Sequence, residues 1–526
     1  MLQSLRKLML ALFASALVLG FASDDVSAQI PAYKDLYDWQ VGFYPLYPDV
    51  LAQGKDGNLY GTLPSGNVDL GSAFYATPSG AVTIFRTFDG SVGCFPWSGL
   101  TLGSDGNFYG STTSCGANFA GLVFQLTPPP AGALTSLCDF YSGAGYPNSA
   151  PVQGKDGNFY GIVQQSAYKV SASGICKLLT SLIPGNSSAP LIQGADGNFY
   201  GTVDDVLHYD GAVFSMSPTG VVKTIYVFDA THGSHPYGPL VQDAKGYFYG
   251  TTYQGGLYDG GVVFKLTKGG VLTVLHDFNS ATGYLPYAGL VLGTDGNLYG
   301  STDSGGGFGH GVLFKITKSG TYTVQYDFDL THGAQPDATA MQHTNGKIYG
   351  LTHGGGANGG GVFYSLDVGI KAFVSLMMNT GKAGQIVEIL GQGFTGTTKV
   401  MFGKGSANFT VVSDTDMTAV VPTSGTTGFV TVTTPSGTLT SSKTFKVLPV
   451  ISSFTPTSGP VGTQVTIAGS GFIGATKVTF GGVKATSYTV DSGTQITATV
   501  PAGAKTGKIA VTTPGGSASK GTFTVT

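Results

Sequence analysis

Histidines are the residues of this chain whose chemistry suits metal binding or proton transfer. Five of them lie in glycine-rich segments between predicted strands, namely His232, His235, His310, His332 and His353. A cluster of such imidazoles with carboxylates would form a metal site or an acid–base pair. However, the sequence has no HxH or HExxH motif, and "THG" recurs as a turn phrase. We therefore predict no catalytic residue, no metal site and no cofactor.

Carboxylates suited to catalysis are sparse in the same segments. The acidic candidates are Asp259, Asp303 and Asp337, and Glu388 is the only glutamate of the chain. Because Glu388 falls in the C-terminal part, glutamate-based acid–base chemistry is disfavoured in the repeated part of the chain. A serine nucleophile on a strand-to-helix elbow is also disfavoured, because no segment has helical periodicity.

Aromatic side chains in the glycine-rich segments could stack on sugars or other flat ligands. With the histidines they form the set of predicted ligand-binding residues, which is Trp97, His235, Tyr237, Tyr258, Phe308, His310 and His353. Tyr287 is a further stacking candidate in an equivalent segment. The alternative role for each of these residues is packing of one loop against another.

The four cysteines have no metal-site spacing. Cys94 and Cys115 fall in consecutive long loops predicted on one face, which favours a disulfide between them. Cys138 lies on a predicted outer strand and Cys176 at a strand start in the next repeat, and their pairing is left open. Buried free thiols are the alternative for all four cysteines.

Seven copies of one phrase, such as "KDGNLYGT" at residues 55–62, divide the chain up to residue 367. Their tyrosines are Tyr60, Tyr109, Tyr160, Tyr200, Tyr249, Tyr299 and Tyr349. This period of 40 to 51 residues indicates repeated supersecondary units. Glycine stands at the turn in all copies, whereas Lys245 and Asn345 replace the aspartate, so the phrase predicts a turn and not a metal site. The tyrosine is predicted to pack between neighbouring units, and the glycine after it to admit adjacent backbone.

Each repeat is predicted to contain four strands. In residues 290–328 they are 290–293, 297–302, 311–317 and 321–328. Units of this size with four strands are typical of propeller blades. The last repeat ends after its third strand, at residues 361–367, while "LYDW" at residues 36–39 matches the fourth-strand phrase "LHDF". We therefore predict an all-β chain with a seven-bladed β-propeller at residues 30–367, closed by the N-terminal strand.

The third repeat lacks the glycine-rich loop and is predicted to form a trimmed blade. A six-bladed ring with one stray element is the alternative architecture.

The C-terminal part is rich in Thr, Val, Ser and Gly and predicts two small β-sandwiches, at residues 369–448 and 450–526. The second resembles the IPT/TIG family of immunoglobulin-like domains in a set of positions that begins with Pro456, Gly459 and Gly462 and continues through Gly469, Gly471, Phe472, Val478, Phe480, Gly481, Val500, Pro501 and "VTTPGG" from Val511. The first is a diverged copy without the "PTSGP" opening. The resemblance implies spacer or adhesive modules.

The repeat itself resembles the GloVer tandem repeat of secreted bacterial proteins, whose pattern runs "DGNLYGTT…GG…GTVFKLT…G…TVLHSF". The units at Leu102, Val241 and Val291 match this pattern over nearly their full length. The resemblance spans about two-thirds of the chain and implies export more than an activity. Streptogramin lyases share the "DGN" turn, but this chain has Tyr-Gly-Thr in place of their Trp-Phe-Thr-Glu, which disfavours the analogy.

The N-terminus predicts an export signal at residues 1–28. Arg6 and Lys7 precede an apolar run at residues 8–21, and "VSA" at residues 26–28 supplies the small residues of a cleavage site. An uncleaved anchor is the alternative. No later stretch is apolar for 18 residues, so we expect no membrane insertion of the mature chain.

The predicted partner is extracellular. The net charge of −3 without a basic run disfavours nucleic acid. In a four-stranded blade the variable second-to-third and fourth-to-first connections emerge on one face, the long-loop face, where binding is expected. We predict a secreted or cell-surface, non-enzymatic protein that binds a glycan, peptide or protein there. The alternative is a propeller enzyme, a lyase or polysaccharide-degrading hydrolase, with accessory sandwich domains.

Overall fold

The computed structural model describes residues 32–42, 51–65, 70–141, 145–180, 183, 185–187, 189–204 and 210–526. All regular elements in these ranges are β-strands. No helix that could span a membrane occurs in them. The predicted export signal lies outside the described residues.

The strands of the repeat region are short. They are β1 (Ala32–Gln40), β2 (Ala52–Gln53), β3 (Leu59–Leu63), β4 (Ser72–Ala76), β5 (Val82–Thr87), β6 (Thr101–Leu102), β7 (Phe108–Thr112), β8 (Leu122–Leu126), β9 (Leu134–Asp139), β10 (Val152–Gln153), β11 (Phe159–Val163), β12 (Ser166–Val170), β13 (Cys176–Thr180), β14 (Ile192–Gln193), β15 (Phe199–Val203), β16 (Ala212–Met216), β17 (Val222–Val227), β18 (Val241–Gln242), β19 (Phe248–Thr252), β20 (Val262–Leu266), β21 (Leu272–Asp277), β22 (Val291–Leu292), β23 (Leu298–Ser301), β24 (Val312–Ile316), β25 (Tyr322–Asp327), β26 (Met341–Gln342), β27 (Ile348–Leu351) and β28 (Gly359–Asp367).

In the described residues these strands form seven four-stranded antiparallel sheets. They are sheet 1 (β2–β5), sheet 2 (β6–β9), sheet 3 (β10–β13), sheet 4 (β14–β17), sheet 5 (β18–β21), sheet 6 (β22–β25) and sheet 7 (β26, β27, β28 and β1). Strand β1 pairs with β28 from Ala32 opposite Asp367 to Gln40 opposite Gly359. The predicted pairing of the N-terminal strand with the last repeat is therefore present.

The repeated phrase forms the turn between the first two strands of a sheet and a contact to the next sheet. Gly57 has φ +77° in the turn, as expected where glycine avoids steric strain. Asp56 accepts hydrogen bonds from Asn58 N (3.1 Å) and from the Tyr60 hydroxyl (2.8 Å). The Tyr60 ring stacks on Phe108 of sheet 2 at 4.2 Å, which agrees with its predicted packing between units.

The aspartate of the phrase therefore also positions the tyrosine, a role that the sequence did not indicate. The two copies without it compensate differently. Where Lys245 replaces the aspartate, Asp243 accepts the Tyr249 hydroxyl at 3.2 Å. Where Asn345 replaces it, the Asn345 amide donates to the Tyr349 hydroxyl at 2.8 Å.

The glycine after the tyrosine lies beneath an aromatic ring of the paired strand. A Cβ on Gly300 would stand 2.5 Å from the Phe314 ring, and one on Gly250 would stand 2.6 Å from Phe264. The nearest neighbour is therefore a side chain of the same sheet, not the adjacent backbone that the sequence predicted.

Consecutive sheets meet through an aromatic residue at the end of the outer strand. Phe278, after β21, packs on Phe314 of sheet 6 at 5.2 Å. Trp39 of β1 occupies the same position in sheet 7 and packs on Phe74 of sheet 1 at 5.1 Å, with 2% of its surface exposed. One apolar cluster contains both residues together with Leu59 and Tyr349.

A hydrogen bond repeats at these junctions as well. Gln242 Oε1 accepts from Ala195 N of the preceding sheet at 2.9 Å. Gln53 Oε1 of sheet 1 accepts from Thr344 N of sheet 7 at 3.0 Å. Sheet 7 therefore contacts sheet 1 in the same way as consecutive sheets contact each other.

The third repeat is trimmed, as predicted, but retains four strands. Residues 164–165 alone connect β11 to β12. A disulfide joins Cys138 of β9 to Cys176 of β13, with Cα atoms 5.6 Å apart, and ties sheet 2 to sheet 3. The second disulfide joins Cys94 to Cys115, the pair that the sequence favoured, with Cα atoms 5.3 Å apart. No described cysteine is a free thiol.

The remaining strands form two sandwiches. They are β29 (Ser375–Leu376), β30 (Thr380–Lys382), β31 (Ile386–Leu390), β32 (Lys399–Phe402), β33 (Gly405–Ser406), β34 (Phe409–Val411), β35 (Asp416–Val420), β36 (Gly428–Thr434), β37 (Gly437–Leu448), β38 (Val450–Thr455), β39 (Ser458–Gly459), β40 (Gln464–Ser470), β41 (Lys477–Phe480), β42 (Val483–Lys484), β43 (Tyr488–Ser492), β44 (Gln495–Thr499), β45 (Gly507–Thr513) and β46 (Gly516–Val525).

Both sandwiches have the same topology. The first pairs the sheet β29-β31-β35-β34 with the sheet β30-β37-β36-β32-β33, and the second pairs β38-β40-β44-β43 with β39-β46-β45-β41-β42. Each encloses its own core, around Phe402 and Phe445 in the first and Phe480 and Phe523 in the second. The shared strand order supports the prediction of a diverged first copy, whose opening strand β29 has only two residues.

The first sandwich contacts the turns of sheets 1 and 7. Thr415 Oγ1 donates to Lys55 O at 2.8 Å, and Lys55 forms an ion pair with Glu388. Gln392 Nε2 donates to Thr344 Oγ1 at 3.0 Å. These contacts lie at the ends of the sheets opposite the long-loop face.

Candidate functional site

Four fourth-to-first connections lie between two second-to-third loops and bind both through the residue that precedes a proline, which is Phe95, His235, Leu285 or Gln335. Leu285 N donates to Gly260 O of sheet 5 at 2.9 Å, and Leu285 O accepts from Asp303 N of sheet 6 at 3.0 Å. His235, Leu285 and Gln335 hold this position with φ values of 55°, 59° and 54°. Such φ values are uncommon outside glycine, so this backbone is held in place by the hydrogen bonds on both sides.

These backbone hydrogen bonds define two repeated side-chain positions at each junction between sheets. One is two residues after the pre-proline position, and the other is the first residue of the next second-to-third loop. Across sheets 4 to 7 we call the residues at these positions the inner arc, which in the order of the sheets comprises Asp204, Tyr237, Tyr253, Tyr287, Asp303, Asp337 and His353.

Three tyrosine rings form the middle of the inner arc. Tyr237 and Tyr287 stack with ring centroids 4.6 Å apart and planes 19° from parallel. Tyr253 meets both rings edge-on, at 5.4 Å from Tyr237 and 5.8 Å from Tyr287. All three are half-buried. They form an apolar platform with phenolic hydroxyls at its edge.

Two carboxylates and an imidazole follow the tyrosines. Tyr287 and Asp303 hold the same two repeated positions at the junction of sheets 5 and 6 as Tyr237 and Tyr253 hold at the junction of sheets 4 and 5. Asp337 is 4% exposed, and its Oδ2 lies 3.6 Å from His353 Nδ1. Gln335 Nε2 donates to Asp303 Oδ1 at 3.3 Å.

The Asp303 carboxyl is held partly protonated near neutral pH. Burial, the negative charge of Asp337 and a hydrogen bond between the two carboxyls raise the pKa of Asp303 to about 7. Gln335 and Ser304 oppose the shift by hydrogen bonding to the charged form. The arrangement can therefore accept N–H or O–H donors from a ligand, or hold and release one proton.

The repeat region matches the model of one known family. The Gloeobacter/Verrucomicrobia repeat matches residues 42–178 and 186–412, more than half of the chain. The chain belongs to the Gloeobacter/Verrucomicrobia repeat family. Residues 449–525 match the IPT/TIG domain. Both resemblances drawn from the sequence are thus confirmed. No curated protein matches the chain.

Solved structures similar to this Gloeobacter/Verrucomicrobia repeat protein are distant. A streptogramin B lyase is 15% identical, with 64% of this chain and 97% of that chain covered and a TM-score of 0.46. A virginiamycin B lyase from Staphylococcus aureus is 14% identical, with 64% and 98% covered and a TM-score of 0.45. A surface glycan-binding protein from Prevotella bryantii is 18% identical, with 28% and 38% covered and a TM-score of 0.22. We draw no functional conclusion from similarities this low.

Three of the residues predicted to bind a ligand lie in or beside the inner arc. Tyr237 and His353 belong to it, and the His235 ring lies 6.2 Å from the Tyr237 ring. Trp97 has the same position as Tyr237, but at the junction of sheets 1 and 2, outside the arc.

The other predicted residues lie elsewhere on the long-loop face. Tyr258 and Phe308 are at loop tips, with 54% and 63% of their surface exposed. His310 accepts a hydrogen bond from Gln335 N through its carbonyl at 3.0 Å, which holds two loops together. Asp259 Oδ1 accepts from Gly255 N at 3.0 Å within its own loop.

The five loop histidines have different neighbours. His232 and His332 each hydrogen-bond the aspartate three residues earlier, Asp229 and Asp329, in exposed turns. That hydrogen bond raises the pKa of His332. Within the described residues no group of three or more His, Cys, Asp and Glu side chains is arranged to hold a metal ion.

Tyr253 and Gln335 are site residues that sequence reasoning missed. Asp303, Asp337 and Tyr287 were named only as general candidates. The signal that could have found them is positional, because Tyr253, Asp303 and His353 all stand three residues after the Tyr-Gly pair of their repeats. In an alignment of the repeats on the tyrosine, this one position contains about half of the inner-arc residues.

Proposed function

We propose that the seven sheets form one closed seven-bladed β-propeller in which β1 completes the last blade. The repeated aromatic contact and the repeated glutamine hydrogen bond at the junction of sheets 7 and 1 support this closure. The propeller occupies residues 30–367, sandwich domains occupy 369–448 and 450–526, and residues 1–28 direct export. The mature protein is secreted or held at the cell surface.

On this scaffold we propose a non-enzymatic binding protein that recognises a glycan at the inner arc. The observation that carries the proposal is the half-buried platform of Tyr237, Tyr253 and Tyr287 with carboxylates at its end. Sugar rings have apolar C–H faces that pack on aromatic rings, and hydroxyl donors that bind carboxylates. A binding site with an apolar surface and a few convergent polar groups has this composition.

A glycan fits the platform better than the other predicted partners, a peptide or a protein. The three rings are in mutual contact and come from two repeated positions, which suits a ligand built of similar sugar units. The two sandwich domains act as a spacer or as adhesive modules, as their family resemblance implies.

Binding of the mature chain to a glycan array, followed by calorimetry with the retained glycan, tests the function. We expect the Tyr237→Ala/Tyr287→Ala variant to lose at least tenfold in affinity. Tyr258→Ala, which removes an exposed tyrosine of a loop tip outside the arc, is the matched control and should leave binding unchanged. Failure to retain any glycan, or equal losses in both variants, would refute the proposal.

A propeller enzyme is the second candidate, and the Asp303 carboxyl favours it. A carboxyl with a pKa of about 7 is suited to donate a proton at neutral pH. Glycoside hydrolases separate their two carboxyls by roughly 5 to 9.5 Å, whereas Asp303 and Asp337 share a hydrogen bond. The arc therefore suits a lyase-type proton transfer better than hydrolysis. Glycan cleavage that is abolished by Asp303→Asn or His353→Ala would replace the binding proposal with this one.

A further inference from the structure

The described long loops of the repeat region contain aspartates but no basic residue, whereas the turns at the opposite end of the sheets contain both aspartates and lysines. The described parts of the long loops and of the connection before β2 comprise residues 41–42, 64–65, 70–71, 88–100, 113–121, 140–141, 145–151, 164–165, 183, 185–187, 189–191, 204, 210–211, 228–240, 253–261, 278–290, 303–311, 328–340 and 353–358. These described segments contain eight aspartates and no lysine or arginine. Lysines such as Lys55, Lys155, Lys245, Lys268 and Lys318 lie in the turns at the opposite end. A ligand that approaches the long-loop face therefore meets negative potential, which repels anionic polysaccharides.

Within this face the Asp303–Asp337 pair is buried without full compensation. Asp337 is 4% exposed, and no donor of the described residues reaches its Oδ1. Its Oδ2 has His353 Nδ1 at 3.6 Å, beyond ordinary hydrogen-bond distance. The half-buried Asp303 carboxyl is the accessible part of the pair. A cation beside it compensates the negative charge of the buried Asp337, so the site gains from a ligand that brings N–H donors and positive charge.

The tyrosine platform next to the pair is also suited to a cation. Tyrosine rings attract ammonium groups through the negative face of the ring. Asp204 has the same position as Tyr253 and Asp303, because its N–H donates to Asn186 O at 3.1 Å as theirs do to the pre-proline residues. A carboxylate therefore holds this repeated position in sheet 4 and in sheet 6, on either side of Tyr253 of sheet 5 in the order of the sheets.

Resting on the proposed glycan-binding role of the inner arc, we propose that its ligand is a positively charged glycan, an oligosaccharide of amino sugars with free ammonium groups. One ammonium binds the half-buried Asp303 carboxyl beside Asp337, and the adjoining sugar rings pack against Tyr287, Tyr253 and Tyr237. An amino sugar carries its ammonium directly on the ring, so that ring and charge fit neighbouring positions of the arc. A lysine side chain of a peptide carries its charge at the end of four methylenes and lacks the flat ring that the platform fits.

The test compares three hexasaccharides by calorimetry on the mature full-length chain: a glucosamine hexamer, an N-acetylglucosamine hexamer and a glucose hexamer with the same β-1,4 linkage. We expect the glucosamine hexamer to bind at least tenfold more tightly than the other two. Asp303→Asn should remove most of this preference, and raising the salt from about 50 to 500 mM should reduce it, because charge screening weakens exposed ion pairs. Asp259→Asn, in the neighbouring loop outside the arc, is the control and should keep the preference.

The outcomes separate the two proposals. Tyrosine-dependent binding of all three hexamers with equal affinity overturns the charged ligand and leaves glycan binding intact. Binding of oligolysine, but of no hexamer, with dependence on Asp303 overturns both the glycan function and the amino-sugar ligand. No binding of any probe also overturns both. Asp337→Asn provides a second variant at the pair, and thermal unfolding of each variant shows that loss of binding is not loss of the fold.

Discussion

Replacing Trp39 with alanine tests whether the first and last sheets of the repeat region are joined as firmly as consecutive sheets. Trp39 is 2% exposed and packs on Phe74 across the junction of sheets 7 and 1. Truncation of a buried tryptophan or phenylalanine to alanine costs about 3–5 kcal/mol. With an unfolding entropy of about 2.1 cal/mol/K per residue over roughly 340 residues, this cost lowers Tm by about 4–7 °C.

The repeat supplies matched controls for this substitution. Phe278→Ala removes the equivalent ring at the junction of sheets 5 and 6, where it packs on Phe314 at 5.2 Å, and should lower Tm by a similar amount. Trp39→Phe installs the residue that the other junctions use and should change Tm by less than about 2 °C. Tyr37→Ala alters the same strand at a side chain that is 37% exposed and should cost about 1 kcal/mol or less.

Thermal unfolding of the four variants by differential scanning calorimetry measures these shifts. A closed ring requires Trp39→Ala and Phe278→Ala to destabilise the propeller to a comparable degree. If Trp39→Ala shifted Tm no more than Tyr37→Ala does, while Phe278→Ala shifted it by several degrees, β1 would be only loosely attached and the closure argument would be wrong.

Three further predictions concern stability. The raised pKa of Asp303 gives a contribution to stability that is fully present below about pH 4 and is lost as the pH rises through about 7. Because Asp303→Asn has no carboxyl to ionise, its stability relative to the wild type should rise by about 2 kcal/mol between pH 4 and pH 8, which is half of the ~4 kcal/mol of the full shift after allowance for solvent screening. Parallel curves of Tm against pH for the two proteins would contradict this prediction. Asp243→Gly removes the acceptor of the Tyr249 hydroxyl and should lower Tm by about 2–4 °C. Adding Lys245→Asp restores the aspartate of the regular phrase and should recover most of this loss. If Tm did not recover, Asp243 would not be replacing the missing aspartate of the phrase. Cys138→Ser/Cys176→Ser opens a cross-link spanning 38 residues and should cost about 4 kcal/mol, or about 5 °C, and an unchanged Tm would show that the disulfide adds nothing to the sheet contacts.

The strands of the fold were predictable because period-2 patterns and turn residues are local signals. The predicted strand at residues 311–317 is β24 (Val312–Ile316), and that at 321–328 is β25 (Tyr322–Asp327). The pairing of β1 with β28 was predictable only because "LYDW" repeats a phrase found elsewhere in the chain. Pairing between distant strands can be predicted from one sequence when the chain contains repeats that can be compared with each other.

The inner arc was harder to predict because its residues differ in type. Tyr253, Asp303 and His353 share a position but no chemistry, and what unites them is a backbone hydrogen bond to a residue that precedes proline. Residue type pointed instead to Tyr258 and Phe308, which are aromatic but lie at loop tips. Backbone geometry determines which side chains lie close together, and residue type alone does not predict that geometry.

The placement of the first sandwich bears on how the long-loop face meets a ligand. Glu388, the only glutamate, forms an ion pair with Lys55 in a turn of sheet 1, and Gln392 binds Thr344 in a turn of sheet 7. The sandwich therefore contacts both sides of the junction at which β1 completes the last sheet, and it adds polar contacts where the two ends of the repeat region meet. These turns are at the opposite end of the sheets from the inner arc, so the contacts of the first sandwich and the tyrosine platform occupy different ends of the repeat region, and a change in one of them should leave the other in place.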